Sequence, residues 1–379
     1  MANNICIHGF AFALLATPLG AVSTLAESFQ VTDVVGREVA IEGPVTKVIL
    51  GEGRLLYAVA ALERENPFAR VVGWRDDLIK NDPQTYAFYR ERFPQADKLP
   101  TFGGVKDGTF DAEQAISLDP DVVIMNLEAQ VATEDAGLDD KLAAVGIPIV
   151  YVDFRDAPMK NTEPSLELLG VLFDAKDRAE DLASYRREVI VTITDRLKEA
   201  NPERPLVFVE RAAGYSDECC MSFGNESFGM LVDMAGGHNM ASEFLPGTFG
   251  TVNPEQVVAS NPAQVVVTGA NWESSAPGGG WVGLGPDADM DEARNKLTAL
   301  MERPAYVGVA AVDQQNVHGV WHQFYNSPYH FIALQQMAKW FHPDLFADQD
   351  PEATFRELHE RFLPVPYAPG YFVSLKSED

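Results

Sequence analysis

One short phrase occurs twice in this chain, and an acidic residue holds the same position in each copy. Residues 110–124 align without gaps to residues 252–266, which places Glu113 opposite Glu255. Each copy predicts a capping Asp or Asn, a short helix with the acidic residue in its first turn, an Asx-Pro stop and an apolar strand. Copies this far apart do not form a solenoid. The repeat therefore predicts two similar lobes, each with one glutamate at the start of an equivalent helix.

Short apolar strands alternate with helical segments in both halves of the chain. The predicted strands are 45–50, 71–74, 122–125 and 147–152 in the first half, and 206–209, 265–267 and 317–320 in the second. Such alternation is typical of a mainly parallel sheet that is covered by helices on both faces. We therefore predict an α/β fold with two Rossmann-like lobes.

A single long helix is predicted between the two halves. Residues 176–200 carry apolar side chains at helical spacing and contain neither Gly nor Pro. This helix would be roughly 35 Å long and would make the linker stiff. The predicted domains are a signal peptide (1–26), a first lobe (27–160), a linker region with the long helix (161–202), a second lobe (203–345) and a C-terminal extension (346–379).

The N-terminal residues and the net charge indicate where the protein works. An apolar stretch over residues 5–16 and small residues up to Ala26 predict a signal peptide that is cleaved after Ala26. The product is expected to be soluble and periplasmic. A formal charge of −27 disfavours nucleic acid as a partner and favours a monomer, because like charges repel.

Further segments outside the repeated phrase, together with residues 119–123 within its first copy, belong to the same pattern. The segments outside the phrase are residues 31–39, 49–51, 102–104, 168–170 and 231–237. In their order and spacing they resemble the substrate-binding proteins of ABC importers for iron chelates and cobalamin, over roughly residues 29–345. The resemblance implies that Glu113 and Glu255 dock onto arginines of the two permease subunits of an ABC transporter. The alternative is that both glutamates only stabilise helix dipoles, by roughly 0.3–1 kcal/mol each.

Five cations of this acidic chain lie where a ligand would bind. In open α/β sheets, ligands bind beyond the carboxyl ends of the strands. Arg54, Arg75, Arg155 and Arg211 follow predicted strands at that edge, and Lys106 lies in another loop of the cleft. Arginine binds carboxylates in a bidentate manner. The set therefore predicts an anionic ligand, while for each residue alone the alternative is an ordinary surface position.

Aromatic residues and one histidine follow several of the same strands. The candidates for ligand contact are Tyr57, Trp74, Tyr215, Trp272, His322 and Tyr325. Stacking on a macrocycle or a catechol is one interpretation, and ordinary packing within the lobes is the other. His322 and Tyr325 precede a predicted helix start and are expected to point into the cleft.

Cys219 and Cys220 are adjacent, and they are the thiols that remain after removal of the signal peptide. The Cα atoms of neighbouring residues are closer than is usual for a disulfide, but the periplasm favours oxidation. We predict a vicinal disulfide that forms a rigid, apolar, ligand-contacting rim of the cleft. Free thiols and soft-metal ligands are the alternatives.

Two other classes of function are disfavoured. Every histidine beyond the signal peptide lies in the second lobe or its tail, so that a histidine site for a free metal ion shared by the two lobes is not expected. Nucleophile-elbow, zinc-protease and Cys-x-x-Cys motifs are absent. We therefore predict neither an enzyme nor a resident cofactor.

The resulting prediction is a periplasmic protein that captures an anionic ferric siderophore and delivers it to an ABC permease dimer. Haem or cobalamin is the alternative ligand, and iron in haem can be held by a single Tyr or His. A periplasmic thiol/disulfide redox protein that uses Cys219 and Cys220 is the alternative function.

Overall fold

The chain folds into two α/β lobes. A computed structural model describes Met1 and residues 28–376. The predicted signal peptide and its cleavage site lie outside the described residues. Within the described part of the chain, no helix is both long and apolar enough to span a bilayer.

The first lobe contains a parallel sheet of five strands in the order β5-β4-β3-β6-β7, next to an antiparallel pair, β1-β2. The strands are β1 (Ser28–Thr32), β2 (Glu38–Glu42), β3 (Val48–Leu50), β4 (Val71–Arg75), β5 (Thr101–Phe102), β6 (Val122–Asn126) and β7 (Ile149–Val152). The helices are α1 (Leu56–Leu62), α2 (Asp77–Asn81), α3 (Pro83–Arg92), α4 (Ala112–Ser117), α5 (Gln130–Asp135) and α6 (Leu138–Ala143). Strands β3, β6 and β7 are buried along their whole length, as expected for parallel strands with helices on both faces.

Two helices, α7 (Pro158–Leu172) and α8 (Lys176–Ala200), connect the lobes. Helix α8 has the bounds that the sequence predicts, and it ends at Asn201, which adopts the left-handed conformation. Gly170 allows α7 to approach α8 closely, because a Cβ atom at this position would lie 2.8 Å from the Cβ atom of Ala179. The linker is therefore a packed pair of helices.

The second lobe repeats the plan of the first. Its main sheet has the order β10-β8-β12-β13-β14, and β9 pairs with β11 in a separate antiparallel ribbon. The strands are β8 (Leu206–Glu210), β9 (Met221–Phe223), β10 (His238–Asn239), β11 (Phe249–Thr251), β12 (Gln264–Gly269), β13 (Val317–Trp321) and β14 (Phe372–Ser374). The helices are α9 (Phe228–Met234), α10 (Pro254–Ser260), α11 (Met290–Leu300), α12 (Ala310–Asp313), α13 (His330–Phe341) and α14 (Pro351–Phe362).

The repeated phrase forms the same unit in each lobe. The side chain of Asp111 accepts a hydrogen bond from the Gln114 amide (3.0 Å) before α4, which leads into β6. The side chain of Asn253 accepts one from the Glu255 amide (2.9 Å) before α10, which leads into β12. The predicted order of cap, helix and strand is confirmed in both copies.

The C-terminal segment belongs to the second lobe, which corrects the predicted boundary at residue 345. Strand β14 pairs antiparallel with β13 and forms the edge of the main sheet. Helix α14 packs against α13 and also against α1 of the first lobe. The three residues of β14 are too few to give a periodic pattern in the sequence, and a Pro-rich segment precedes them. The segment 346–376 is therefore part of the fold.

The packing of α8 predicts where substitutions in the linker destabilise the protein. Leu182 is fully buried, whereas Val191 on the same helix is 47% exposed. We expect Leu182→Ala to lower the free energy of unfolding by about 3 kcal/mol, because it removes buried methyl groups and leaves a cavity. The matched control, Val191→Ala, should change it by less than about 0.5 kcal/mol. Urea unfolding of both variants measures the difference, and equal effects would contradict the packing of α8.

Candidate functional site

A cavity of about 440 Å³ lies between the lobes at the carboxyl ends of the parallel strands. Nine of the thirteen residues predicted to contact a ligand line it: Arg54, Arg75, Lys106, Arg155, Arg211, Tyr215, Trp272, His322 and Tyr325. The lining also contains residues that the sequence analysis did not select: Asn81, Asp107, Glu128, Ala212, Met221, Phe249 and Gln323. Parallel strands end at one edge of a sheet, which explains why residues so far apart in the chain meet here.

A buried carboxylate, Glu52, holds two of the lining arginines. Its side chain lies 2.8 Å from Arg54 Nη2 and 2.6 Å from Arg155 Nη2. The amide of Asn326, from the second lobe, donates a hydrogen bond to the same carboxylate oxygen. Burial alone would raise the pKa of Glu52, but the guanidinium groups of Arg155 and Arg54 outweigh burial and hold it below its ordinary value. Glu52 is therefore ionised and links both lobes beneath the cavity.

Arg54 is fully committed to neighbouring side chains. Its Nε donates to Asp77 (2.7 Å), and its Nη1 donates to the Gln323 carbonyl (3.1 Å) and to the Tyr325 hydroxyl (3.0 Å). Gln323 and Tyr325 come from the second lobe, and the Gln323 amide donates back to the Asn81 carbonyl of the first lobe (2.8 Å). These bonds join the two lobes directly at the floor of the cavity.

The cations nearer the cavity mouth are paired with acidic side chains. Arg75 lies 3.1 Å from Asp107, and Lys106 lies 2.5 Å from Glu128, which also pairs with Arg155. The side chains of Lys106 and Asp107 are half-exposed or more. Ion pairs of this kind stabilise a structure by roughly 0–1 kcal/mol, so a ligand can exchange with either carboxylate at low cost.

Arg211 is the exception among these cations. In the described part of the chain it has no carboxylate partner, and its Nε is buried without a hydrogen-bond partner. Its guanidinium carbon lies 4.5 Å from the ring centroid of Phe249, and Nη1 contacts the Met221 sulfur at 3.8 Å. Burial lowers the pKa of Arg211, but the ordinary value is so high that the group stays charged. Among the described residues, five lining cations therefore meet four carboxylates, those of Glu52, Asp77, Asp107 and Glu128.

Tyr325 lies among three guanidinium groups. Burial alone would raise the pKa of its phenol, but Arg155 and Arg54 outweigh burial, and the pKa lies below its ordinary value. Its ring also lies 5.1 Å from the Arg155 guanidinium carbon. A phenol in this environment ionises more readily than one in water, and a phenolate oxygen is a ligand for ferric iron.

His322 is neutral at the floor of the cavity. Burial, followed by the charge of Arg211, holds its pKa well below the ordinary value. Its Nδ1 lies 2.8 Å from the Thr268 hydroxyl, and its ring packs edge-on against Trp272. Trp272 in turn contacts Tyr215, which is 40% exposed at the cavity mouth. The rings of His322, Trp272 and Tyr215 form one aromatic wall of the cavity. The ring of Phe249 lies next to Arg211.

Two aromatic predictions are wrong, because both side chains belong to the core. Trp74 packs against Phe68 and Tyr86, since successive side chains of β4 point to opposite faces and only Arg75 reaches the cavity. Tyr57 lies in α1, whose residues are all buried, and its ring contacts Trp321 of the second lobe. The phenol of Tyr57 donates to Asp82 (2.6 Å). The sequence places Trp74 at the end of a strand and Tyr57 after one, but it does not show which face either side chain occupies.

Cys219 and Cys220 form the predicted disulfide, but they do not form the predicted rim. Neither residue is part of the described lining of the cavity. Cys220 is fully buried, and Cys219 packs against the same hydrophobic core. Burial of Cys220 restricts access to its sulfur atom, which thiol exchange at that atom requires.

Glu113 and Glu255 are both exposed, each in the first turn of its helix. Glu113 lies 2.7 Å from the ammonium group of Lys141 on α6. This ion pair is on the surface, and it leaves the carboxylate accessible to a partner. Their equivalent positions in the two lobes agree with the repeat, while their role in docking stays a prediction.

Sequence reasoning missed the acidic half of the site. Glu52 and Asp77 directly follow strands that also supply Arg54 and Arg75, which is the one signal that could have identified them. Glu128 and Gln323 also come two residues after strands, β6 and β13, so the same signal could have identified them. Which cation each of them pairs with depends on contacts made only in the folded protein. In the described residues, no cluster of three or more His, Cys, Asp or Glu is arranged to hold a metal ion.

This chain belongs to the periplasmic binding protein family, whose sequence model matches residues 74–320. Members of this family are substrate-binding proteins of ABC importers, which confirms the resemblance and the prediction that the protein is not an enzyme. Membership also implies an extracytoplasmic location.

Two solved structures and one curated relative agree with this assignment. The crystal structure of a TroA-like periplasmic binding protein, FepB from Veillonella parvula, has a TM-score of 0.83 and 27% identity, and the match covers 92% of this chain and 99% of that chain. A periplasmic heme binding protein from Pseudomonas aeruginosa has a TM-score of 0.56 at 15% identity, covering 89% and 100%, which shows the fold alone. A cobalamin-binding protein of Halobacterium salinarum is 24% identical over 179 residues, which are 47% of this chain and 45% of that relative. The match thus spans about half the length of the curated relative.

Asp82 predicts a pH dependence of stability. Burial raises the pKa of this carboxyl from 3.8 to about 6, so the folded protein binds more protons than the unfolded chain between about pH 4 and pH 6. Its contribution to stability therefore falls as the pH rises through this window. Asp82→Asn cannot titrate, so its stability relative to wild type should increase by roughly 3 kcal/mol from pH 3 to pH 7. Denaturant unfolding at several pH values tests this, and parallel curves for the two proteins would contradict it.

Proposed function

We propose that this protein captures an anionic ferric chelate of the siderophore type in the interlobe cavity and delivers it to an ABC permease. The observation that carries the proposal is Arg211, a largely buried cation without a carboxylate partner in the described part of the cavity. A buried charge is costly unless it is paired. The Tyr325 phenol is a hydrogen-bond partner of Arg211, and a negatively charged ligand would supply the anionic group that the described residues do not.

The form of the metal follows from the donor atoms of the cavity. The described lining contains one histidine, His322, and the two acidic residues Asp107 and Glu128 are already paired with cations. A free divalent metal ion needs several such donors with open lone pairs. An iron ion that arrives inside an organic chelate needs instead a complementary surface. The cavity offers cations, aromatic rings and about 440 Å³, a volume within the usual range for small-molecule sites.

Haem is a second candidate because of Tyr325. Its phenol has a lowered pKa and lies beside His322, with 4.5 Å between the ring centroids. Either side chain is a known type of axial ligand for haem iron, and the haem propionates would pair with arginines. The relative named for cobalamin makes a corrinoid the third ligand to test.

A ligand panel distinguishes these candidates. Trp272 lines the cavity, so its fluorescence should be quenched by an absorbing ligand. The panel consists of ferric citrate, a ferric tris-catecholate, a ferric trihydroxamate, haemin and cyanocobalamin. The proposal expects the tightest binding for one of the first two, which are anionic. Tightest binding of haemin or cyanocobalamin would contradict a ferric chelate as the ligand. If no member of the panel binds, the proposed function as a whole is wrong.

Arg211 provides a specific test of the anionic ligand. Arg211→Gln should weaken binding of the best anionic chelate roughly 10- to 100-fold, because a hydrogen bond to a charged group contributes about 1.5–3 kcal/mol. Arg90→Gln is the matched control, since Arg90 is an exposed arginine on α3 that does not line the cavity. Titration of both variants gives the comparison. Equal affinity of the Arg211 variant and wild type would remove the main support for an anionic ligand.

The two repeated glutamates test delivery separately from capture. We expect the double variant Glu113→Lys/Glu255→Lys to abolish uptake of the chelate by cells while its affinity for the chelate stays within about twofold of wild type, since both residues are exposed and absent from the described lining. The control is Glu134→Lys/Glu292→Lys, which makes the same charge change at two other exposed positions. Normal uptake by the first variant, or equal loss in both, would contradict docking through these glutamates.

A further inference from the structure

The loop between β8 and β9 carries much of the second lobe's contribution to the cavity. It starts with Arg211 and Ala212, exposes Tyr215 at the mouth and returns to β9 at Met221, and all four residues line the cavity. Movement of this loop would therefore displace Arg211, which has no carboxylate partner in the described cavity, together with part of the aromatic wall.

The first half of the loop is anchored by hydrogen bonds. The Arg211 amide donates to the Met221 carbonyl (2.8 Å), the Ala212 amide to the Thr268 hydroxyl (2.8 Å), and the Ala213 amide to the Thr268 carbonyl (3.2 Å). The second half, residues 216–218, is exposed, and its described hydrogen bond is a local one from the Ser216 hydroxyl to the Glu218 carbonyl. The position of residues 216–218 therefore depends on the residues that follow them.

The disulfide directly follows this exposed segment. Cys220 is fully buried, and its carbonyl accepts a hydrogen bond from the Val252 amide (3.0 Å), next to β11. Cys219 is joined to it and packs against the same core. The bond therefore ties Cys219, the residue that follows the exposed segment, to a buried residue that is hydrogen-bonded to Val252 beside β11.

A disulfide between neighbours does little for the stability of the whole protein. Cross-links stabilise mainly by shortening loops in the unfolded chain, and the effect grows with the number of residues enclosed. Here no residue is enclosed. The bond acts instead on the local backbone, because it restricts the two residues that lead the loop into β9.

We propose that the Cys219–Cys220 disulfide is a positioning element of the ligand cavity, which holds the loop 211–221 so that Arg211 and Tyr215 face the ligand. The value of this positioning for binding rests on the proposed function, but the positioning itself is a property of the protein without ligand. It gives the vicinal pair a role that requires neither contact with the ligand nor redox exchange.

Hydrogen–deuterium exchange of the ligand-free protein tests the positioning directly. The variants are Cys219→Ala/Cys220→Ala and Cys219→Ser/Cys220→Ser, which lose the same bond but differ in volume and polarity. Both should show at least tenfold faster exchange at the amides of Arg211 and Ala213, with unchanged exchange at Val265 in β12. The control Ser216→Ala changes the same loop and keeps the bond, so its exchange should match wild type. Thermal unfolding midpoints of both cysteine variants should stay within about 4 °C of wild type.

The outcomes separate this inference from the proposed function. Unchanged exchange at Arg211 and Ala213 in both cysteine variants would overturn the inference whether or not a ligand is known. Faster exchange throughout the second lobe would also overturn it, because the bond would then stabilise the fold in general. If wild type binds ferric citrate, both variants should bind it about tenfold more weakly. If wild type binds no panel member, the proposed function fails and the exchange result still decides the role of the disulfide.

Discussion

The site depends on one buried carboxylate, that of Glu52. It accepts contacts from Arg54 and Arg155 of the first lobe and from Asn326 of the second. Breaking a buried ion pair by removing one partner typically costs about 3–5 kcal/mol, because a charge is left uncompensated. The orientation of the two arginines and the position of the lobes therefore rest on the same group. A cavity built in this way is formed before a ligand arrives.

The rest of the fold supports the same arrangement of the lobes. Helix α8 is a stiff connection, and α14 packs on α13 of the second lobe and on α1 of the first. On the cavity floor, Gln323 bonds to Arg54 and to the backbone of Asn81. Contacts at the linker, at the C-terminal helix and at the cavity thus restrain one interface from three sides. Such an interface favours small changes on ligand binding over wide hinge motion.

The sequence predicts the parts of this protein that depend on chain order. Parallel strands bring their ends to one edge, so the positions of Arg54, Arg155 and Arg211 follow from the alternation of strands and helices. Side-chain direction is harder, because it depends on which face of a strand or helix is buried, and Trp74 and Tyr57 were misplaced for that reason. The pairing of each cation also depends on contacts between distant segments, such as that of Glu52 with Arg155, which the order of strands and helices does not show.

Pairing among the cations determines what the cavity can select. Arg54 and Arg155 are held by buried carboxylates, so they shape the floor without adding free charge. Lys106 pairs with Glu128 at the more exposed mouth, where exchange with a ligand is cheap. Arg211 alone lacks a carboxylate in the described cavity, and Phe249 and Met221 flank its guanidinium group, so that under the proposed function it would take one anionic group of the ligand. Under the proposed function, the position of the negative charge on a ligand would decide how well it binds. A negative group placed away from Arg211 would have to displace an existing carboxylate, while one placed on Arg211 would not.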